Sequence, residues 1–145
     1  MSRVSTYLNF PRVTEEAFLF YRSVFGTEFS SPLTKFKDIP SSPEQPPFAE
    51  ADKDLVMHVA LPILGGHILM GTDAPESMGF SVVFGNAMSI NLEPDTRSET
   101  EQLFAALGQG GTIEMPLQDM FWGDYFGIVL DRFGIRWMFN CSAAQ

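Results

Sequence analysis

The chain has 145 residues, the length of one ordinary domain, and it is rich in Phe with modest charge, which fits a packed globular protein and excludes a disordered one. Its net charge of −9 argues against nucleic acid and against an anionic membrane surface, because both are bound through Lys and Arg. No apolar run reaches the ~18 residues of a membrane helix, the first ten residues hold no apolar signal core, and a lone cysteine, Cys141, cannot form an intramolecular disulfide, so a cytoplasmic location is expected.

Residues 3–10 alternate, with Val4, Thr6, Leu8 and Phe10 against Ser5, Tyr7 and Asn9, which predicts a half-buried strand that Pro11 ends. Thr14 is read as the N-cap of a helix, with Glu15 and Glu16 favoured by the dipole of its first turn. Ala17, Phe20, Tyr21, Val24 and Phe25 form its apolar stripe, and Gly26 stops it. Thr27 to Lys37 reads as a strand. Residues 38–53 hold Pro40, Pro43, Pro46 and Pro47 in a polar stretch, so they read as a surface loop. Leu55–Leu64 and His67–Thr72 read as a hairpin about a two-residue Gly65-Gly66 turn.

After a turn-rich connector from Asp73 to Gly79, a second cycle begins. Phe80 to Leu92 is strand-like. Thr96 with Glu99 makes a capping box, Leu103, Phe104 and Leu107 form an apolar face, and Gly108 ends the helix. Gly111–Pro116 reads as a strand. Tyr125–Leu130 and Ile135–Asn140 read as a hairpin about Asp131-Arg132-Phe133-Gly134.

The two cycles match. Tyr7-Leu8-Asn9-Phe10 and Ser89-Ile90-Asn91-Leu92 stand 82 residues apart, as do Thr14 and Thr96, and Gly26 and Gly108. Gly66 and Gly134 differ by only 68, and the Pro-rich loop accounts for the missing 14 residues. The reading is therefore an internal repeat with one loop insertion, 1–73 and 80–141, each strand-helix-strand-strand-strand. The expected fold class is α+β, with two βαβββ modules forming a curved mixed sheet that encloses a cavity, and helices outside.

Tyr7-Leu8-Asn9-Phe10, Glu16-Ala17-Phe18, Phe20-Tyr21 and Phe25-Gly26 carry a resemblance to a known family. So do Met115-Pro116-Leu117-Gln118-Asp119, Phe121-Trp122-Gly123, Asp131-Arg132-Phe133-Gly134 and Trp137. Across nearly the whole chain the sequence resembles the vicinal-oxygen-chelate superfamily (glyoxalase, bleomycin resistance, dioxygenase). Within it the chain resembles the PhnB-like branch, often labelled 3-demethylubiquinone 3-methyltransferase. Met115 to Asn140 is the most specific stretch. The resemblance implies a homodimer, and a metal site for those members that hold His, Gln or Glu on the first and fourth strands of each module.

Here those positions are Ser5, Met70, Ala87 and Met138, and no residue one step to either side is a His or a carboxylate, so neither a metal nor another cofactor is expected. Only His58 and His67 could supply imidazole. With a two-residue turn they stand roughly 20 Å apart along the hairpin, too far for joint ligation.

Strand parity assigns Ile135, Trp137 and Phe139 to the helix-packed core and Arg136, Met138 and Asn140 to the cavity face. It puts Ser5, Tyr7, Asn9, Ser89 and Asn91 on that face. In the central hairpin it adds Met57, Val59, Leu61, Ile68 and Met70. Phe121 and Trp122, beside Gly123, are placed at the mouth. The expected ligand contacts are Tyr7, Asn9, Met57, Met70, Ser89, Asn91, Phe121, Trp122, Arg136 and Met138, an apolar lining with a few polar groups.

A methyltransferase of the Rossmann-like kind needs a Gly-rich turn between a strand and the following helix. Gly108-Gln109-Gly110-Gly111 instead follows a helix and precedes a strand, so that activity is rejected. The leading expectation is a metal-independent binder of a small, partly apolar molecule. The alternative is a metal-independent lyase, isomerase or dioxygenase relative, with His58, Asp119 and Asp124 as acid/base candidates.

Overall fold

The computed structural model of the chain describes residues 1–40, 42–44 and 47–142. Part of the Pro-rich loop, including Pro46, lies outside them. The chain divides into two compact units, Met1–Val82 and Val83–Gln145.

In the first unit β1 (Thr6–Phe10) leads into helix α1 (Thr14–Phe25), followed by β2 (Thr34–Lys35), β3 (Val56–Pro62) and β4 (Ile68–Asp73). The sheet order is β1-β4-β3-β2, with β1 parallel to β4 and the remaining pairs antiparallel. In the second unit β5 (Ile90–Leu92) leads into α2 (Arg97–Gly108), then β6 (Thr112–Asp119), β7 (Tyr125–Leu130) and β8 (Arg136–Cys141). Its order is β5-β8-β7-β6, the same topology, again with one parallel pair. This is an α+β architecture of two βαβββ units. Among the described residues no helix is long and apolar enough to cross a membrane.

Each sheet buries one face under its helix. In the first unit Ala17, Phe18 and Tyr21 of α1 lie fully buried with Phe10, Val59, Leu61 and Leu69. The helix comes so close to β4 that a side chain at Gly71 would collide with the Phe18 ring. In the second, Leu103 and Leu107 of α2 are buried with Val129, Trp137 and Phe139, and the Phe104 ring meets Phe139 edge-on at 5.3 Å between centroids.

Several local expectations are corrected. Thr14 does not cap α1; it is the first helical residue, and both its N–H and its hydroxyl donate to the buried Asp73 carboxylate, at 3.1 and 2.8 Å. Asp73 also accepts the Val56 N–H at 2.8 Å, so one carboxylate joins the helix start to β3 and β4. Thr96 does cap α2, accepting the Glu99 N–H at 3.0 Å, while the Glu99 carboxylate reaches back to the Asp95 N–H instead of the cap's own. The long strands expected at Thr27–Lys37 and Phe80–Leu92 shrink to Thr34–Lys35 and Ile90–Leu92. β6 in turn runs on past Pro116 to Asp119, which an edge strand with register shifts beside the proline permits.

The register of the central hairpin also differs from the expected one. The central hairpin pairs Pro62 with Ile68 and Leu61 with Leu69, and the Ile63 N–H donates to the His67 carbonyl at 2.8 Å. The loop is therefore three residues, Leu64-Gly65-Gly66, and not two. Gly65 and Gly66 both take positive φ, +68° and +79°, which glycine adopts at little cost. A slip of one residue moves every side chain of a strand to the opposite face.

Candidate functional site

The burial of Leu69, Gly71 and Asp73 beneath α1 puts Ile68, Met70 and Thr72 on the open face of the first sheet. The parallel pairing of β1 sets Tyr7 beside Met70 and Asn9 beside Thr72 on that face. The corrected hairpin register brings Ala60 opposite Met70 and Pro62 opposite Ile68. Val59 and Leu61, expected on the open side, are instead fully buried on the helix side. Met57, also expected there, is the extra residue of a bulge: Thr34 pairs with His58 and Lys35 with Val56, so no residue of β2 opposes it.

The same slip brings His58 to the open face, its ring 6.2 Å from that of the exposed Tyr7. His67 turns the other way, its Nε2 standing 2.9 Å from the hydroxyl of Thr6, a residue with helix-side parity. The two imidazoles thus serve opposite faces.

In the second sheet, burial of Trp137, Phe139 and Cys141 against α2 leaves Arg136, Met138 and Asn140 on the open face, as parity predicts. Asn91 pairs with Met138. The guanidinium of Arg136 donates from Nη1 to the Ser89 hydroxyl and from Nε to the Glu114 carboxylate, each at 2.7 Å. Glu114 reaches it because it is the extra residue between Ile113, which pairs with Val129, and Met115, which pairs with Ile128. Sequence reasoning missed this acid. The available signal was Pro116, a residue that marks bulges when it occurs inside a strand.

At the other end of that face Phe126 pairs with Asn140. The buried Oδ1 of Asn140 has no hydrogen-bond donor among the described residues. Trp122 stands 6.0 Å from Phe126, and Phe121 5.0 Å from Trp122, both edge-to-face. Phe121 and Trp122 are exposed on a turn closed by the Gly123 N–H to the Met120 carbonyl at 2.9 Å. Phe126 is a second residue the sequence reading passed over; its period-2 spacing with Ile128 and Leu130 was the signal.

The remaining acid candidates sit elsewhere. Asp119 pairs with Tyr125, on the helix side, and is gripped by Arg97 of α2 at 2.6 and 3.3 Å. The hydrogen bond from Arg97 holds the Asp119 carboxyl below the usual carboxylate range. The Arg97 guanidinium lies 3.7 Å from the Tyr125 ring centre, and the Tyr125 hydroxyl donates to Glu101 at 2.8 Å, which raises the phenol's pKa. Asp124 lends its backbone carbonyl to the Met120 N–H at 2.8 Å in the aromatic turn.

The pairing of β5 on β8 also revises the repeat. Ile90 takes the place of Thr6, 84 residues on, so Ser89 and not Ala87 corresponds to Ser5. Because two residues preserve parity, the faces stand. Among the described residues no three His, Cys, Asp or Glu side chains gather at ligating distance.

Residues 2–139 match the family model described as 3-demethylubiquinone-9 3-methyltransferase. The crystal structure of PA1353 from Pseudomonas aeruginosa is 34% identical and superposes with a TM-score of 0.82 over 97% of this chain and 98% of that one. The PhnB protein from Bacillus cereus is 28% identical, with a TM-score of 0.75 over 97% and 99%. A glyoxalase/bleomycin resistance protein/dioxygenase family enzyme from Burkholderia phytofirmans PsJN, 21% identical, shares the fold with a TM-score of 0.61 over 95% and 98%. The fold is that of the vicinal-oxygen-chelate proteins, shared with the glyoxalase/bleomycin resistance/dioxygenase family enzyme, and the chain belongs to the family described as 3-demethylubiquinone-9 3-methyltransferase, as its likeness to the PhnB protein also indicates.

Proposed function

We propose that this chain binds a small, partly apolar molecule on its open sheet faces without using a metal ion. The observation that carries the reading is Arg136, half-buried on an open face it shares with Met138, Ile128 and Phe126 and with Asn91 and Asn140, and oriented by Ser89 and Glu114. A few fixed polar groups in an apolar surround are the usual make-up of a small-molecule site. Glu114 offsets the charge of Arg136, so the favoured ligand is neutral or carries a single negative charge, and Trp122 with Phe126 offers it an aromatic edge.

The positions where relatives hold ligating groups carry Ser5, Met70, Ser89 and Met138. Hydroxyls and thioethers are poor partners for a hard divalent ion, so the donor set does not fit such a metal. The methyltransferase in the family's description finds no Gly-rich strand-to-helix turn here to hold its cofactor. The reading includes a homodimer in the cytoplasm. A second reading, an acid/base enzyme of the same superfamily, draws support from His58, an imidazole that shares the open face with Tyr7 at 6.2 Å between ring centroids.

The test is a thermal-shift screen of small aromatic and aliphatic monocarboxylates and neutral analogues in EDTA, with hits measured by calorimetry. Saturable binding in EDTA, weakened roughly tenfold or more by Arg136→Met or Trp122→Ala, supports the reading. Binding that needs an added divalent cation sinks it. Turnover of a hit that is lost in His58→Ala, with binding kept, supports the enzyme instead.

A further inference from the structure

The segment that joins the two units is chemically unlike the rest of the surface. From Gly79 to Leu92 there is no charged residue, in a chain whose net charge is −9. Residues 80–84, Phe-Ser-Val-Val-Phe, form no helix, turn or bend, and among the described residues no strand pairs with 80–89. Yet Phe80 is 52% exposed, Val83 84%, Phe84 45% and Met88 85%. The segment runs directly into β5, an edge strand of the second sheet. Exposed edges are ordinarily protected by charges, prolines or bulges, because an unprotected apolar edge recruits another strand. This one carries no charge and no proline.

Alternate residues of the segment are symmetric about Val82, with Phe at both 80 and 84, although Ser81 and Val83 differ. If two copies run antiparallel about a two-fold axis at Val82, Phe80 of each faces Phe84 of the other, Ser81 faces Val83, and Val82 faces Val82. Two aromatic pairs then flank a valine pair on one face, and aromatic cross-strand pairs are among those that stabilise antiparallel pairing. Such a contact is isologous, as a two-fold dimer requires. An acidic protein meets a copy of itself with least repulsion where neither surface bears a charge. Phe84 is already held in position, its ring lying over Gly134 with Cδ1 3.0 Å from where a Cβ would stand.

We infer that residues 80–84 are the docking strand for a second copy of this chain, paired antiparallel about Val82. The inference rests on the homodimer in the proposed reading and gives it an interface. It is tested on the full chain by sedimentation and by cross-linking. Val83→Asp sets a carboxylate opposite Ser81 of the other copy and is expected to raise the dimer dissociation constant roughly tenfold or more, with an unchanged circular dichroism spectrum. Val82→Cys brings two thiols together on the axis and is expected to give a disulfide dimer under mild oxidation. Val4→Cys, on another exposed residue, is expected not to, and the native Cys141 is buried. A dimer that is indifferent to Val83→Asp and gives no Val82→Cys cross-link overturns this interface while leaving the dimer. A wild-type chain that sediments as a monomer at micromolar concentration overturns both, and ligand binding in EDTA is scored separately from either result.

Discussion

Asp131 closes the β7–β8 hairpin and is almost fully buried. One oxygen accepts the N–H groups of Phe133 and Ile135, at 2.8 and 3.1 Å, and the other accepts the indole N–H of the fully buried Trp137 at 2.8 Å. Asp131→Asn keeps the shape and removes one acceptor. With the amide oxygen left on the turn, its NH2 confronts the indole N–H, donor against donor. With the amide reversed, two backbone donors lose their acceptor. The first arrangement costs less, and it strands one buried donor while turning two charge-assisted bonds into neutral ones. The expected loss is about 2–4 kcal/mol. For a chain of this size that lowers Tm by about 5–15 °C. Trp137 is itself the reporter. Because the chain has two tryptophans, a Trp122→Phe background makes the emission that of Trp137 alone. Urea and thermal unfolding of Asp131→Asn in that background, followed by fluorescence and circular dichroism, measure the loss directly. A stability within about 0.5 kcal/mol of the parent, the scatter of an ordinary surface change, would refute the idea that this carboxylate organises the hairpin.

The close approach of α1 to β4 predicts that Gly71→Ala destabilises the protein by about 1–3 kcal/mol through overpacking, since the added methyl meets Phe18 and comes within 3.1 Å of Thr14 Cγ2; chemical denaturation that finds the variant as stable as wild type contradicts it. The Arg97–Asp119 pair predicts a pH effect of definite sign. The Asp119 pKa is lowered in the folded state, so its contribution is present above the usual carboxylate range and is lost as pH falls through the lower, folded value. In an NMR titration the Asp119 carboxyl should therefore titrate below an ordinary aspartate. Arg97→Ala should return it to the ordinary range, and an unmoved midpoint would show that Arg97 is not the cause.

Much of the molecule could be read from local chemistry. The alternation of residues 3–10, the apolar stripe of α1 and the Thr96–Glu99 cap each report a decision made within a few residues, so helix and strand identities and the repeat were legible. The open-face assignment of Arg136, Met138 and Asn91 was legible too, because parity along one strand follows from its own burial pattern. Apolar composition alone was not enough at Phe80–Ser89. A strand needs a partner as well as a β-prone sequence, and none of the described strands supplies one. Glu114 escaped notice because a bulge is a relation between two strands.

The sequence by itself determined the two βαβββ cycles, the two helices to within a residue, and the identities of Ser5, Met70 and Met138 at the positions where the family resemblance implies ligands. Tertiary structure decided that His58 shares the open face with Tyr7, that Met57 sits in a bulge, what Arg136 is tied to, and that Asp119 of β6 is held by Arg97 of α2. The reason is that a period of two sets the relative phase of side chains within a strand, whereas the absolute phase between strands depends on the loop that joins them. At Gly65-Gly66 that loop closes over three residues, and the one-residue difference carries His58 to the open face.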